Sequence, residues 1–231
     1  MGRRKRRLPA GGRSRTFTSM ETSALLAGAD DRHLYLLKPA GLPVFPPHGE
    51  AGGDCLLSRA RDLLGPGPWP AGFEGGLAHR LDTATGGIVV AARTPADLAR
   101  VRDEFAAGSL RKFYVFRSSG AVDFTDRTVT APIAHHPTKK DRMLCPRSGA
   151  ADATPHRGKW YPATTRLTRR GPLWQAEIHS GVMHQVRVHA ALAGLPLTGD
   201  RLYGGAPGPY LLHHLRIVGR DWRSPLAEPP G

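Results

Sequence analysis

The segment HRLDTATGGIVVAAR, residues 79–93, contains one carboxylate, Asp82, which closely follows His79 and Arg80 in a strongly basic chain. Neighbouring positive charge keeps a carboxylate ionised, and an ionised carboxylate can act as a nucleophile or a base. An Asp before a glycine-containing turn can equally be structural and cap that turn. The segment by itself therefore leaves two readings open, a reactive carboxylate or a turn cap.

The other residues with chemical potential form weaker patterns. His184 and His189 lack the i, i+4 spacing that places two metal ligands on one helix face. Cys55 and Cys145 are far apart and show no metal-ligand spacing. Ser180 follows a histidine but is not part of a Gly-x-Ser-x-Gly elbow, so a hydrolase remains only a minor alternative. These spacings therefore predict no metal site.

The positive charge is concentrated in two parts of the chain. The net charge is +14, residues 1–15 hold seven bases and no acid, and residues 111–170 hold thirteen bases and four acids. Such clustering is typical of proteins that bind a polyanion, most often a nucleic acid. The alternative is a solvated basic surface without a partner.

Several classes of protein are disfavoured by the composition. No stretch of 18 apolar residues is present, so we expect no membrane span. Two cysteines in 231 residues do not form a disulfide framework, which favours a reducing, cytoplasmic setting. The basic start has no apolar core of a secretory signal, and reads either as an RNA-binding arm or as a targeting segment.

Strands and helices alternate along the chain in a pattern that predicts one α+β domain. Helix 94–108 has the strongest signals, with Thr94 as cap and Pro95 in the first turn. Helix 54–65 would be capped by Asp54, and residues 134–159 read as a long surface loop. The other predicted elements are strands 33–39, 87–93 (buried on both faces), 111–118, 128–133, a pair within 161–181 that turns at 170–172, strand 210–218, and helix 182–194.

Five segments, in order, resemble the RluA-type pseudouridine synthase family. The His-Arg-Leu-Asp motif alone is moderately specific, but its combination with the later motifs at these distances identifies the chain as a member of this family. Val182 and Gly86 depart from the family pattern, which usually has Arg and often Ser at these positions. The matching segments are LLKPAGLPVFP (36–46), HRLDTATGGIVVAAR (79–93), RKFYVFRSSG (111–120), API (131–133) with DRM (141–143), and SGVMHQVRVHAALAGLPLTGDRLYGG (180–205).

The resemblance implies an α+β fold whose central sheet is mixed, mostly antiparallel and flanked by helices. It implies an RNA pseudouridine synthase that isomerises specific uridines in structured RNA without cofactor or metal. In that reaction the N1 glycosidic bond breaks and a C5–C1′ bond forms. Asp82 would attack C1′ of the ribose or C6 of the base, or act as a base in a route through a glycal.

The resemblance also assigns the site residues. Arg187 would pair with Asp82, and Tyr114 would stack on the base and take the C5 proton, directly or through water. Arg80 would fill the space left by the flipped base. The other predicted RNA-binding residues are His79, His184 and Gln185. In addition, the positive charge of segment 111–170 predicts phosphate contacts by Arg111, Lys112, Lys139, Lys140, Arg142, Arg147 and Lys159.

The expected organisation is a basic, disordered arm (1–30), a catalytic domain (31–220) and a frayed tail (221–231). Too few residues precede the first matched strand for the S4 module of many relatives, so we expect the catalytic domain alone. We also expect a monomer. The RNA partner is rRNA or tRNA, with rRNA favoured. The alternative function is a non-catalytic RNA-binding or ribosome-assembly protein on the same fold.

Overall fold

A computed structural model describes residues 24–46, 53–64, 67–146 and 154–230, and its main feature is an eight-stranded sheet in the order β1-β2-β3-β11-β4-β10-β9-β5. A smaller sheet has the order β7-β6-β8. The strands are β1 (Leu26–Ala29), β2 (His33–Lys38), β3 (Gly86–Ala92), β4 (Arg111–Phe116), β5 (Asp126–Thr130), β6 (Ile133–His135), β7 (Met143–Leu144), β8 (Arg157–Tyr161), β9 (Thr164–Arg170), β10 (Leu173–Ile178) and β11 (Leu212–Val218). The helices are α1 (Leu56–Arg59), α2 (Pro95–Ala106) and α3 (Gln185–Leu192), with a short 3₁₀ turn at Glu74–Gly76.

The large sheet is mixed and mostly antiparallel, which confirms the predicted α+β class. Every pair of neighbouring strands is antiparallel except β3 and β11. Gly87 lies where β3 meets β11, with a positive φ of 112°, and a Cβ there would overlap the carbonyl oxygen of His214. A side chain at this position would therefore push the two strands apart.

Strand β3 is buried on both faces, as its continuous apolar run predicted. Val89 packs in one core cluster with Val186 of α3, and Ile88 and Val90 pack in a second cluster with Leu98 of α2. Alternate side chains of a strand point to opposite faces, so the two helices lie on opposite faces of the sheet. Each fully buried aliphatic side chain stabilises this arrangement by about 1.5–3 kcal/mol.

The predicted surface loop 134–159 is wrong in part, because the segment contributes to the small sheet. His135 pairs with Met143 of β7 and with Arg157 of β8. Ile133 and Met143 are buried against Val188 of α3, so a few apolar side chains anchor an otherwise polar segment. The predicted strand 128–133 is likewise divided between β5 and β6, which belong to different sheets. Residues 147–153 of the predicted loop lie outside the described residues.

Of the two helices predicted in the N-terminal half of the chain, one begins where it was predicted and the other is shorter than predicted. Helix α2 begins as expected, because the Thr94 hydroxyl accepts a hydrogen bond of 3.1 Å from the Asp97 N–H. Helix α1 covers only residues 56–59 of the predicted 54–65, and its cap is Cys55 rather than Asp54. The side chain of Asp54 instead accepts a hydrogen bond of 2.6 Å from Arg59 Nε. The following residues continue as turns.

Both predicted chain ends are corrected by the structure. Residues 26–29 form β1 at the sheet edge, so the predicted arm 1–30 extends too far; residues 1–23 lie outside the described residues. The predicted frayed tail is ordered over 221–230: the Trp222 ring lies 4.5 Å from the His33 ring, and the Ala227 N–H donates to the Leu215 carbonyl over 2.8 Å. Across the described ranges, every helix is too short or too polar to cross a bilayer.

Candidate active site

A cavity of about 470 Å³ opens between the loop before β3, strand β4 and the start of α3. Asp82, Tyr114 and Arg187, the three predicted catalytic residues, all line it. Lys112 also lines it, on the same strand as Tyr114. The fold thus brings together residues that are up to 105 positions apart in the chain.

A buried lysine holds the backbone of the loop that carries Asp82. Lys38, at the end of β2, is 1% exposed, and its ammonium donates to the carbonyls of Leu42 (2.6 Å), Pro39 (2.9 Å) and Thr83 (3.1 Å). Burial lowers the pKa of Lys38 to about 8, and the negative charge of Asp82 opposes that shift. Because Thr83 follows the carboxylate directly, these bonds hold the backbone next to Asp82.

Asp82 meets Arg187, as predicted, with 3.6 Å between Oδ2 and Nη1. The closer partner of Arg187 is Asp200, which accepts from Nε over 2.6 Å and from Nη2 over 2.8 Å. Burial disfavours the charged guanidinium, but the hydrogen bonds to Asp200 outweigh it and hold the Arg187 pKa above its usual value. This two-pronged contact fixes the guanidinium, so Nη1 presents a permanent positive charge to Asp82.

His184 lies on the other side of the carboxylate. Its Nε2 is 3.7 Å from Asp82 Oδ2, and its Nδ1 is 2.8 Å from the Tyr203 hydroxyl. Because that hydroxyl already accepts from the Met143 N–H over 2.9 Å, we assign its proton to Nδ1. The N–H of this neutral tautomer then sits on Nε2, facing Asp82. Burial lowers the His184 pKa and supports the neutral form.

Tyr114 forms a wall of the cavity. Its ring stacks on His214 of the neighbouring strand with 4.5 Å between ring centroids, and the His214 ring is held by the Ile88 carbonyl over 2.7 Å. Burial, together with the charge of Asp82, raises the Tyr114 pKa above its usual value, so the phenol stays protonated at neutral pH. A protonated phenol is a poor base, and the stacking role predicted for Tyr114 fits this environment better than the proton-accepting one.

Lys112 is buried rather than at the surface, so the phosphate contact predicted for it is not supported. Its side chain is 3% exposed, and its Nζ lies 4.9 Å from the centre of the Phe105 ring. Among the described residues, its ammonium forms neither a hydrogen bond nor an ion pair. Burial lowers its pKa to about 8.

Two other predicted RNA-binding residues form hydrogen bonds within the protein. The His79 Nε2 accepts the Val90 N–H over 3.2 Å, and its ring packs against Phe105. The Gln185 amide accepts from the Ser180 hydroxyl over 2.8 Å and donates to the Thr164 carbonyl over 3.0 Å. These hydrogen bonds lie within the protein, and the RNA contacts of both residues stay a prediction.

The remaining predicted RNA-binding residues lie around the cavity or on the surface. Arg80 is exposed at the cavity, and Lys139, Lys140 and Lys159 are exposed on the small sheet and its turn. Arg111 is exposed but paired with Glu177 over 2.7 Å. Arg142 stacks over the Tyr203 ring at 5.8 Å. Arg147 lies outside the described residues.

Four supporting residues were missed from the sequence: Lys38, Asp200, Tyr203 and His214. The segments LLKPAGLPVFP and GDRLYGG, which contain the first three, were recognised as family motifs, but their side chains were given no role. His214 belongs to an adjacent histidine pair with no informative spacing. Over the described part of the chain, no three His, Cys, Asp or Glu side chains are grouped as a metal site requires.

Comparison with known proteins identifies the family of the chain. The sequence profile of the family described as RNA pseudouridylate synthase matches residues 32–192. The chain therefore belongs to the RNA pseudouridylate synthase family, and the resemblance to its RluA-type members is confirmed. The match includes the loop of Asp82, strand β4 and helix α3.

Particular relatives can be named. The chain is 34% identical over 180 residues to the ribosomal large subunit pseudouridine synthase D of Xanthomonas campestris pv. campestris, covering 77% of this chain and 50% of the relative. It is 33% identical over 175 residues to an uncharacterized RNA pseudouridine synthase of Aquifex aeolicus, covering 72% and 52%. The chain thus spans about half the length of the curated relatives it matches.

Solved structures show the same fold. Human RNA pseudouridylate synthase domain containing 4 superposes with a TM-score of 0.69 at 20% identity, covering 91% of this chain and 92% of that one. Human RNA pseudouridylate synthase domain containing 1 gives a TM-score of 0.66 at 19% identity, covering 88% and 80%. At these identities the likeness establishes the architecture only.

Proposed function

We propose that the chain is an RNA pseudouridine synthase that uses Asp82 to isomerise a specific uridine in structured RNA. The observation that carries the proposal is a partly exposed carboxylate, 29% accessible, that faces a nucleoside-sized cavity between Arg187 and His184. A turn cap would not need a fixed guanidinium and a stacked tyrosine beside it.

The residues have distinct roles in this proposal. Arg187 places a positive charge 3.6 Å from the Asp82 carboxylate, which acts at the junction of base and sugar. Tyr114 provides a flat surface for the uracil, and Arg80 fills the gap that the flipped base leaves in the RNA stack. The reaction breaks the N1–C1′ bond, forms the C5–C1′ bond, releases the C5 proton and protonates N1, so it needs no oxidant or reductant.

The exposed cations Lys139, Lys140 and Lys159 would hold the RNA backbone. Phosphate contacts of this kind give affinity without choosing a sequence, so RNA binding should weaken steeply with salt. We favour rRNA over tRNA, because the relative from Xanthomonas is named as a ribosomal large subunit enzyme. We further propose a monomeric enzyme, and its two cysteines in 231 residues favour a cytoplasmic setting.

The test is a transcriptome-wide pseudouridine map of a strain that lacks the gene, complemented with the wild type or with Asp82→Asn. We expect one or a few positions to lose pseudouridine, the wild type to restore them, and the variant to fail. Restoration by Asp82→Asn would refute the role of Asp82. A map that does not change on deletion would instead favour the non-catalytic RNA-binding alternative.

A further inference from the structure

Lys112 lines the cavity and has no role in the reaction proposed above. Its side chain enters the cavity from β4, two residues from Tyr114 and on the same face of the strand. The ammonium lies against the Phe105 ring and next to Gly181, and within the described ranges no acceptor or carboxylate bonds to it. It is thus a buried cation without a protein partner.

Such a cation is costly in a folded protein. Removing an ammonium from water without a compensating partner destabilises the native state, and an apolar side chain would fill the same space better. The attraction between the ammonium and the Phe105 ring offsets only part of that cost. With a pKa of about 8, the group is still mostly protonated at neutral pH. The arrangement is therefore suited to a ligand that brings negative charge or a carbonyl oxygen.

At the end of the cavity that contains Asp82, the two cations already have partners in the protein. Arg187 is bonded to Asp200 and faces Asp82, and Lys38 is saturated by three backbone carbonyls behind the loop. The two carboxylates balance the two cations there. Any additional negative charge that develops on a substrate would have to be stabilised elsewhere in the cavity.

The proposed reaction creates that charge. When the N1–C1′ bond breaks, its electron pair stays with the uracil and is delocalised onto the O2 and O4 carbonyl oxygens. Residues two apart on a strand are about 7 Å apart, so a uracil that stacks at Tyr114 can reach the ammonium with one carbonyl. Preorganised donors in a dry site stabilise developing charge strongly.

We propose that Lys112 is a further catalytic residue, whose ammonium donates a hydrogen bond to a uracil carbonyl and stabilises the anionic base during glycosidic cleavage. This inference rests on the proposed function. Lys112 keeps its proton throughout: the electron pair moves from N1–C1′ to the base and then forms C5–C1′, while the C5 proton leaves and N1 gains one.

The test compares Lys112→Met with the wild type in single-turnover reactions at saturating RNA, on a transcript that carries the mapped uridine. We expect a loss of about 10²-fold in rate, as for one lost donor to a developing oxyanion, with RNA affinity little changed. Arg100→Met, which removes one exposed cation from α2, is the control and should react at the wild-type rate.

A second substrate separates charge stabilisation from positioning. In a transcript with 5-fluorouridine at the target, fluorine stabilises the departing anion, so the variant should lose less rate, measured as loss of 5-fluorouridine from nuclease digests. Equal losses on both substrates would overturn the charge-stabilising role. A normal rate for Lys112→Met on uridine would overturn the inference alone, whereas a wild type inactive on every RNA would refute the proposed function.

The pH profile of the rate and the stability of the variant distinguish a catalytic role of Lys112 from a structural one. The wild-type rate should fall as pH rises through about 8, and this step should be missing from the profile of Lys112→Met. The groups that face Lys112 do not titrate there, because His79 and His214 have lowered pKa values and Tyr114 a raised one; Lys38 is common to both proteins. Lys112→Met should be at least as stable as the wild type to urea, and marked destabilisation would show that Lys112 is structural, whatever the activity.

Discussion

The two ends of the cavity differ in whether their charged side chains have partners. At the acid end, formed by Asp82, His184, Arg187 and Asp200, each charged group has a partner within 4 Å. At the lysine end, formed by Phe105, Lys112 and Gly181, one cation lies buried against an aromatic ring and, in the described part of the chain, has no counterion. The charges of the acid end are therefore compensated without substrate, whereas the charge of the lysine end is not.

This difference predicts how each end responds to mutation. Paired buried charges should be needed for stability, because removing one partner leaves the other uncompensated. An unpaired buried charge should be dispensable for stability, because the folded protein gains by losing it. A mutation at the acid end should therefore lower stability and activity together, whereas one at the lysine end should lower activity alone.

The largest expected effect is that of Asp200→Asn at the acid end. The change leaves the guanidinium of Arg187 buried with only the more distant Asp82, so we expect a loss of about 3–5 kcal/mol in the free energy of unfolding, measured in urea. The rate should fall as well, because Arg187 loses its fixed orientation.

The matched control is Asp126→Asn, which breaks the exposed ion pair with Arg166. Surface pairs of this kind contribute little, so its unfolding curve should nearly coincide with that of the wild type. If Asp200→Asn proved as mild as this control, the acid end would not be the stability element that we describe.

The pH dependence of stability should reveal the lysine end. The folded-state pKa of Lys112, about 8, lies below the ordinary value of 10.5, so between these pH values the unfolded chain holds a proton that the folded chain lacks. Stability then rises with pH in this window. Relative to Lys112→Met, the wild type should gain on the order of 2–3 kcal/mol between pH 8 and pH 10. Parallel profiles for the two proteins would contradict an unpaired buried ammonium.

Gly181→Ala should disturb the lysine end without affecting the fold. An added Cβ would lie 2.9 Å from Lys112 Nζ, and no other described atom is within 4 Å outside the neighbouring residues. We expect stability within about 0.5 kcal/mol of the wild type and a rate about tenfold lower, because the ammonium must move. In the Lys112→Met background the same change should have no further effect on the rate, since the two residues act through one group.

Tyr203→Phe should have the smallest effect on the rate. The variant keeps the ring between Arg187 (5.0 Å) and Arg142 (5.8 Å) but loses the hydroxyl that bonds His184 and Met143. We expect about 1 kcal/mol of destabilisation and a rate reduced a few-fold, because the tautomer of His184 is no longer fixed. Tyr161→Phe on the small sheet removes a hydroxyl and is the control; an equal effect of both changes would argue against the link through His184.

Much of the large sheet could be predicted from local patterns. The continuous apolar run of β3, the capped helix α2 and the turn between β9 and β10 all appear in the structure as expected. The small sheet could not be predicted, because only isolated apolar residues such as Ile133 and Met143 mark it within a polar segment. The ordered tail was missed for a related reason: backbone hydrogen bonds to β11 hold it, and its sequence shows no periodicity.

The site was predictable only as far as the family motifs reach. The contact between Asp82 and Arg187 followed from the resemblance, since no local pattern links residues so far apart. The burial of Lys112 had a signal that was not used, namely the alternation in RKFYVF, which places Lys112 on the face of Tyr114 and Phe116. Asp200 had none, because a carboxylate in a glycine-rich turn is usually a turn residue.

The position of β11 has a consequence for how the protein becomes active during folding. Asp82 precedes β3 and Tyr114 belongs to β4, yet these strands do not pair with each other: β11, residues 212–218, is inserted between them. During synthesis, the segments that carry the two residues are made early but cannot be joined until the last strand emerges. Such long-range pairing folds slowly, and a nascent chain that lacks β11 would have no assembled cavity with which to modify RNA.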